Sequence, residues 1–363
     1  MTEQVSNQFD YLISDKHKAN AAIVMRQKLK PVEGDEAVIF PPTYAGIGYN
    51  IDTIERSEEL KTVCTIDSVG SQANRMEPIF KEPPYQNLIP QVTIEIRKPA
   101  PKGQEKGDLL DKVSLLDAGH RIADAAVRFS DGAAEIEAAF QDVKKGDASR
   151  LARLAPTSLV FGCWDSRGTH EKIPRIVRST IRAYNVHPLT RSAQYVPATE
   201  QYEEAFETLG EKERKKFADE GMGHVPSTGE VGGVVLDHDS KIIRESVLSL
   251  SALRTLRSVN DEETMKLRRY ILGLSLIALT APQNPLLRMG CELTGDSDNP
   301  ASWELVKVDG NREALHLSHD EAISFTRQAV ATFDVNTEVK TFTFDAKKAK
   351  EALKKKDKSK ESE

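Results

Sequence analysis

The feature that most limits how this chain can fold is its hydrophobic period, which keeps changing without settling into a regular strand–helix alternation. Gln91 to Lys98 (QVTIEIRK) alternates apolar and polar residues, the pattern of a half-buried strand. Ala21 to Pro31 reads as a strand leading into a Pro/Gly-rich loop, Phe40 to Gly48. Thr62 to Phe80 opens with a short apolar stretch and then turns helical. Pro99 to Asp108 is a loop, Leu109 to Arg128 reads as a helix, and a charged region follows over Asp131 to Gly146. Leu159 to Cys163 reads as a buried strand, and Pro174 opens a helix to about Tyr184, proline being suited to a first helical turn.

Glu200 to Glu220 is a charged, solvated helical stretch that ends in the glycine-rich loop Gly221 to Gly233. Lys241 to Val259 and Glu262 to Thr280 read as two long amphipathic helices. Leu287 to Leu293, Ser302 to Val308 and Val339 to Phe344 read as strands, and Ser318-His-Asp-Glu321 is a capping box that opens a helix to about Phe333. The lysine-rich segment 346–363 reads as a frayed or disordered tail. Strands and helices mixed in this order favour an α+β fold over a doubly wound parallel sheet, with one large domain over residues 1–345. There is no fixed-period repeat and no apolar run of membrane-spanning length. Met1 to Asp10 carries no apolar signal core, and Cys64, Cys163 and Cys291 lie far apart. The expectation is a cytoplasmic protein with reduced thiols and no membrane partner.

Net charge is −6, which argues at first against nucleic acid. Phosphate binding is local, however, so the distribution matters more. Ala148 to Tyr195 holds eight lysines and arginines against Asp165 and Glu171, giving +6 there and −12 elsewhere. A basic groove on an acidic body fits this split, and so does a surface that docks on an acidic protein.

Two blocks carry the functional argument. On a helix, Ser68, Ser71, Gln72 and Arg75 of DSVGSQANRME share one face, with Asn74 beside them, while Val69, Ala73 and Met76 face inward. Short donors and a guanidinium near a helix start suit phosphate; the alternative is a solvated, well-capped face. The second block runs from Phe161-Gly-Cys-Trp-Asp-Ser-Arg-Gly168 through Ile173 to Tyr184. Arg175, Arg178 and Arg182 advance by three and four residues, forming one basic stripe opposite an apolar face of Ile173, Val177, Ile181 and Tyr184. Without matching acids they repel one another unless an anion lies opposite. Trp164 is placed to stack a base or to fill a core. His238 between Asp237 and Asp239 reads as an exposed turn, and His316 and His319 lack companion ligands. No Walker loop, GxGxxG, GxSxG or HExxH motif occurs, so no catalytic site, metal or cofactor is expected.

The stretches SVGSQANRMEPIF (Ser68 to Phe80) and RLAPTSLVFGCWDSRG (Arg153 to Gly168), with IPRIVRSTIRAY after them, resemble the repeated backbone subunit of type I-G CRISPR complexes, formerly called I-U. LKPVEGDEAVIFPPTYAGIGY (Leu29 to Tyr49) and LDAGHRIADAAVR (Leu116 to Arg128) resemble it too, so the likeness covers most of residues 21–195. It implies a modified RNA-recognition-motif (ferredoxin-like) palm of the repeat-associated RNA-binding superfamily, with large helical and loop insertions as fingers and thumb. The thumb insertion would fall at about 186–240. It implies further that copies line up head to tail on CRISPR RNA, among the other Cascade subunits, presenting the guide for pairing with a target DNA strand. Ser68, Ser71, Gln72, Asn74, Arg75, Trp164, Ser166, Arg167, Arg175, Arg178, Arg182 and Arg191 are the residues expected at the RNA. Two rivals stand beside this reading. One is an RNA-processing endonuclease of the same superfamily, with His120, His170 or His187 as its base; the other is a protein-interaction scaffold without nucleic acid.

Overall fold

A computed structural model describes residues 8–17, 19–56, 59–105, 107–197, 199, 210, 216, 220–222, 225–227 and 231–352. It is an α+β architecture centred on one curled antiparallel sheet of ten strands. The strands that matter here are β1 (Asn20–Pro31), β2 (Ile51–Arg56), β3 (Glu59–Asp67), β4 (Gln91–Arg97), β5 (Leu109–Ser114), β6 (Val177–Pro188), β7 (Val234–Ser249), β8 (Ser302–Lys307) and β9 (Val339–Thr343). Across the sheet the order is β8, β1, β7, β6, β3, β2, with Cys291–Gly295 sharing the outer edge of β1 with β8. A second, smaller sheet sets β4 between antiparallel β5 and parallel β9.

Alternation along the central strands divides the sheet into two faces. Ile23 and Met25 of β1, Val177 and Ile181 of β6, and Ile242 and Leu248 of β7 point to one side and are buried. Helices α1 (Val69–Met76) and α3 (Asp261–Thr280) close that side, and α4 (His319–Thr332) packs on α3. Helix α3 is buried without a break from Tyr270 to Leu279, as a helix enclosed on every side must be. No helix among the described residues is long and apolar enough to cross a membrane.

Two buried arginines fasten the N-terminal segment to this core. Arg268, 1 % exposed, donates to the carbonyls of Ile13 (3.1 Å), Leu256 (3.1 Å) and Arg254, and lies 3.3 Å from Asp15. Arg254 in turn donates to Leu12 and Asn20 carbonyls. Planar guanidinium forks satisfy several loop carbonyls at once, which neutral side chains there could not do.

Several sequence expectations hold: β1, β4, β8 and β9 are strands, α3 spans the second amphipathic stretch, and the Ser318–Glu321 capping box opens α4. Others are corrected. Pro174 to Tyr184 is not a helix; from Val177 it is strand β6. Its apolar spacing of four satisfies both periods, and the β-branched Val177, Thr180, Ile181 and Val186 favour the strand. Lys241 to Val259 is not one helix either: β7 runs to Ser249 and a single helical turn, Leu250–Leu253, follows. There the buried face carries Arg244 and Ser246 among its apolar residues, which hid the period of two. Leu109 to Arg128 divides into exposed strand β5, two 3₁₀ turns and the short helix Ala125–Arg128. Leu159 belongs to the helical turn Thr157–Val160, and the charged region is largely helix α2 (Ala133–Lys144).

Residues 189–233 leave the sheet between β6 and β7. Their root is clasped by backbone bonds from Leu189 to the Gly233 carbonyl (2.9 Å) and from Gly232 to the Leu189 carbonyl (2.7 Å). The helix expected at Glu200 to Glu220 lies outside the described residues apart from 210, 216 and 220. The tail continues as helix from 346 to 352, the last residue described.

Replacing Arg268 with Leu strands its carbonyl partners without a donor, so a loss of about 3 kcal/mol is expected. Chemical denaturation of the variant measures it; an unchanged midpoint would show that the fastening is dispensable.

Candidate nucleic-acid interface

Among the described residues no helix packs on the second face of the central sheet. Arg178, Thr180, Arg182 and Tyr184 project there from β6, opposite Val247, Glu245, Ile243 and Lys241 of β7. Val24, Arg26 and Lys28 of β1 continue the row in register with β7. None of these side chains belongs to either buried apolar cluster among the described residues. The charges are unevenly matched. Arg26 pairs with Glu245 at 2.9 Å and Lys28 with Asp296 at 3.2 Å. Arg182 donates only to Thr180 Oγ1, at 3.0 Å, and the Lys241 ammonium sits 5.7 Å from the Tyr184 ring centre. No carboxylate among the described residues pairs with Arg178 or Arg182. An exposed guanidinium, a half-buried one and a half-buried ring on one sheet face are the components of a backbone-gripping, base-stacking surface.

Just before β6 in the chain lies a hollow of about 890 Å³, lined by Arg121, Arg128, Arg167, Lys172 and Arg175. Trp164 stands at its rim, 54 % exposed, with the Lys172 ammonium 4.7 Å from its ring. The short pairing of Cys163–Trp164 with Lys172–Ile173 holds the indole outward. Gly162 adopts φ +74°, and a Cβ there would lie 2.9 Å from the Ile173 carbonyl oxygen, so only glycine fits this closing turn. Asp165 is the one carboxylate in the lining, and it faces its own loop. It accepts from the Gly168 amide (3.0 Å), the Thr169 amide (2.6 Å) and the Thr169 hydroxyl (2.9 Å). Burial opposes its ionisation, but these bonds outweigh burial and hold its pKa below the usual 3.8. Arg175 donates to the Val69 carbonyl at 3.2 Å, which links the hollow to the start of α1. Partial burial, followed by the repulsion of Arg121, lowers its pKa.

The expected residues are therefore distributed in four places. Arg178 and Arg182 share the open face because four residues on a strand return to the same side; Arg175 precedes the strand and belongs to the hollow, with Trp164, Ser166 and Arg167. On α1, Ser68 caps the helix by accepting from the Ser71 amide at 3.3 Å, and Asn74 is exposed. Gln72 requires correction: it is 2 % exposed and lies behind the sheet, donating to Asp67 (2.6 Å) and accepting from Ser179 (2.8 Å). Arg75 also turns inward, to Asp67 at 2.9 Å and the Leu287 carbonyl at 2.6 Å. Arg191 is exposed beyond the end of β6. Of the three histidines weighed as bases, His120 lines the hollow, whereas His187 lies 3.4 Å from Asp237 at the far end of β6. His170 is exposed beside the Asp165 loop.

Sequence reasoning missed Arg26, Lys28 and Lys241 on the open face and Arg121 and Arg128 in the hollow. The alternation in MRQKLK was a readable sign that Arg26 and Lys28 share one side of β1. Arg121 offered none: a buried ion pair with Glu77, at 2.7 Å, arises from tertiary packing. Arg150 pairs with Asp142 and Arg153 lies beside Glu263, so part of the basic excess faces away from this surface.

Residues 23–188, a little under half of the chain, match the family model described as CRISPR-associated protein GSU0053. No curated protein matches. Eighteen chains of solved structures do, one of them Csc2 of Thermofilum pendens. That match has 11 % sequence identity and a TM-score of 0.31, over 89 % of this chain and 81 % of the other, a likeness too distant to carry an argument.

Asp165→Asn should loosen the loop that presents Ser166 and Arg167, seen as faster amide exchange at Gly168 and Thr169. The same tether sets a pH dependence. Because the folded pKa is depressed, the stabilisation is complete above pH 3.8 and is lost as pH falls through the lowered value. Loop exchange in the parent protein should rise over that window, and an equally protected loop in the Asn variant would show that the carboxylate does not hold it.

Proposed function

We propose that this chain is the RNA-binding backbone subunit of a type I CRISPR effector complex, of the I-G subtype. One observation carries the reading: strand β6 carries two arginines that no carboxylate among the described residues pairs, and the segment just before it lines a cation-rich hollow with an exposed tryptophan at its rim. The match of residues 23–188 to a CRISPR-associated family supports it. So does the order of the four central strands. Counted along the chain, β1, β6, β7 and β8 lie across the sheet as fourth, first, third, second, with α1 and α3 behind, the arrangement of a ferredoxin-like or RNA-recognition-motif palm.

In this reading Arg178 and Arg182 hold phosphates along the open face. Arg167, Arg175 and Ser166 continue the track, and Trp164 stacks a base. Ser68, Ser71 and Asn74 border it at α1, and residues 189–233, with Arg191 at their root, form the thumb that crosses the RNA. Copies pack head to tail with the other Cascade subunits, which yields an open filament whose length the RNA sets. Guide pairing then reads the target DNA strand while the protein grips backbone and shape, and the subunit performs no chemistry.

Co-expression with a CRISPR array tests this. The parent protein should purify with RNA of defined length. Arg178→Glu with Arg182→Glu should lose it, and the salt slope of binding should flatten by about 1.4, at roughly 0.7 per phosphate contact. Trp164→Ala should weaken binding by about 1–3 kcal/mol without changing the slope. A folded double variant with unchanged affinity removes the sheet face from the proposal. Specific cleavage of repeat RNA that vanishes in His120→Ala replaces the backbone reading with an endonuclease.

A further inference from the structure

Behind the sheet, on the side opposite Arg178 and Arg182, lies a cavity of about 700 Å³ between β1, β7, α1, the end of α3 and the segment after it. Its lining contains no carboxylate, yet it contains two arginines. Arg75, near the mouth, is balanced by Asp67, which is not part of the lining. Arg244 is not balanced. It sits in the middle of β7, 5 % exposed, and its nearest hydrogen-bond contact is Nε to the Ser179 hydroxyl at 3.5 Å. No acceptor among the described residues reaches its Nη2. Ser179 is itself engaged by Gln72 and Ser246. Burial lowers the Arg244 pKa to about 10, which leaves it charged at neutral pH. A buried cation without a counter-ion is among the most expensive features a core can hold, and it is retained where something anionic meets it.

The rest of the lining says what kind of anion. Gln27, Asn74 and Asn284 present neutral amides, while Met25, Leu279 and Trp303 supply an apolar wall. A guanidinium fork with several neutral donors matches a group with three acceptor oxygens better than one with two. The volume suits a small organic body and not an ion alone. Asn74, Asn284 and Leu286 are exposed, so the mouth is open.

We propose that this cavity is a phosphate-ester site in which Arg244 binds the phosphoryl group and the wall around Trp303 packs its sugar. Arg244 and the pair Arg178 and Arg182 lie on opposite faces of the sheet, and Asn74 is the residue that the cavity shares with the border of the proposed RNA track. The phosphate belongs either to a free sugar phosphate or to a nucleotide within a chain.

Trp164 and Trp303 are the two tryptophans of the protein, so Trp164→Phe leaves Trp303 as its reporter. Ribose 5-phosphate should change Trp303 emission in that protein, and ribose and acetate should not. A short RNA that competes more strongly than ribose 5-phosphate identifies the polynucleotide source; a weaker competitor identifies the free ester. Arg244→Met should weaken binding about tenfold or more. Its melting temperature without ligand should hold or rise, because an unpaired buried charge has been removed. No emission change with ribose 5-phosphate, an equal change with acetate, or undiminished binding in Arg244→Met overturns the proposal. Should that variant fail to fold, the comparison of ribose 5-phosphate with ribose on the Arg244-bearing protein decides alone.

Discussion

Strand β6 is paired along most of its length to β7 and, from Ile181 to Tyr184, to β3 as well, and a one-residue slip against either would turn its side chains over. That double pairing fixes what each residue of the basic segment can do. Val177, Ile181 and Ala183 are committed to the core, and Arg178, Arg182 and Tyr184 are thereby committed to solvent. The core holds the other side of the bargain: α3, buried over ten consecutive residues, fills the space behind the sheet. The arginines face away from the core because hydrophobic register puts them there, and their charge needs no further positioning device.

The two faces differ in how they treat polar groups. In front, Arg178 and Arg182 meet no acid among the described residues, at little energetic expense, because water screens them. Behind, Asp67, Gln72, Ser179 and Ser246 form a hydrogen-bonded chain that ties α1 to β6 and β7. Such a chain rigidifies when each member is satisfied, and Arg244 is the member whose Nη2 has no acceptor. Arg75 shows how narrow the distinction is. One residue from the exposed Asn74, it turns inward because Asp67 and two carbonyls lie within its reach.

Much of the fold was legible where a single period dominates. Alternation over Gln91 to Arg97, the capping box before α4 and the long apolar helix α3 left little ambiguity. Legibility failed where two periods coincide. Residues four apart share a side of both a helix and a strand, so the segment from Ile173 to Tyr184 satisfied either pattern. It failed again at β7, whose inward positions include an arginine and a serine, and at β5, whose exposure erases any pattern. The candidate site was legible as a charge imbalance and as an exposed-or-core ambiguity at Trp164. Which side of α1 carried Gln72 depended on Ser179, more than a hundred residues away.

The clasp between Leu189 and the Gly232–Gly233 pair has a consequence for how this protein can change. Adjacent strands already bring the two ends of the insertion together, so the entropy of closing it depends only logarithmically on its length. The sheet therefore treats what lies between those ends as cargo. Segments of quite different size and composition can be exchanged at that root while β6 and β7 keep their pairing, which makes it a natural graft point for engineering and a permissive one for divergence among relatives.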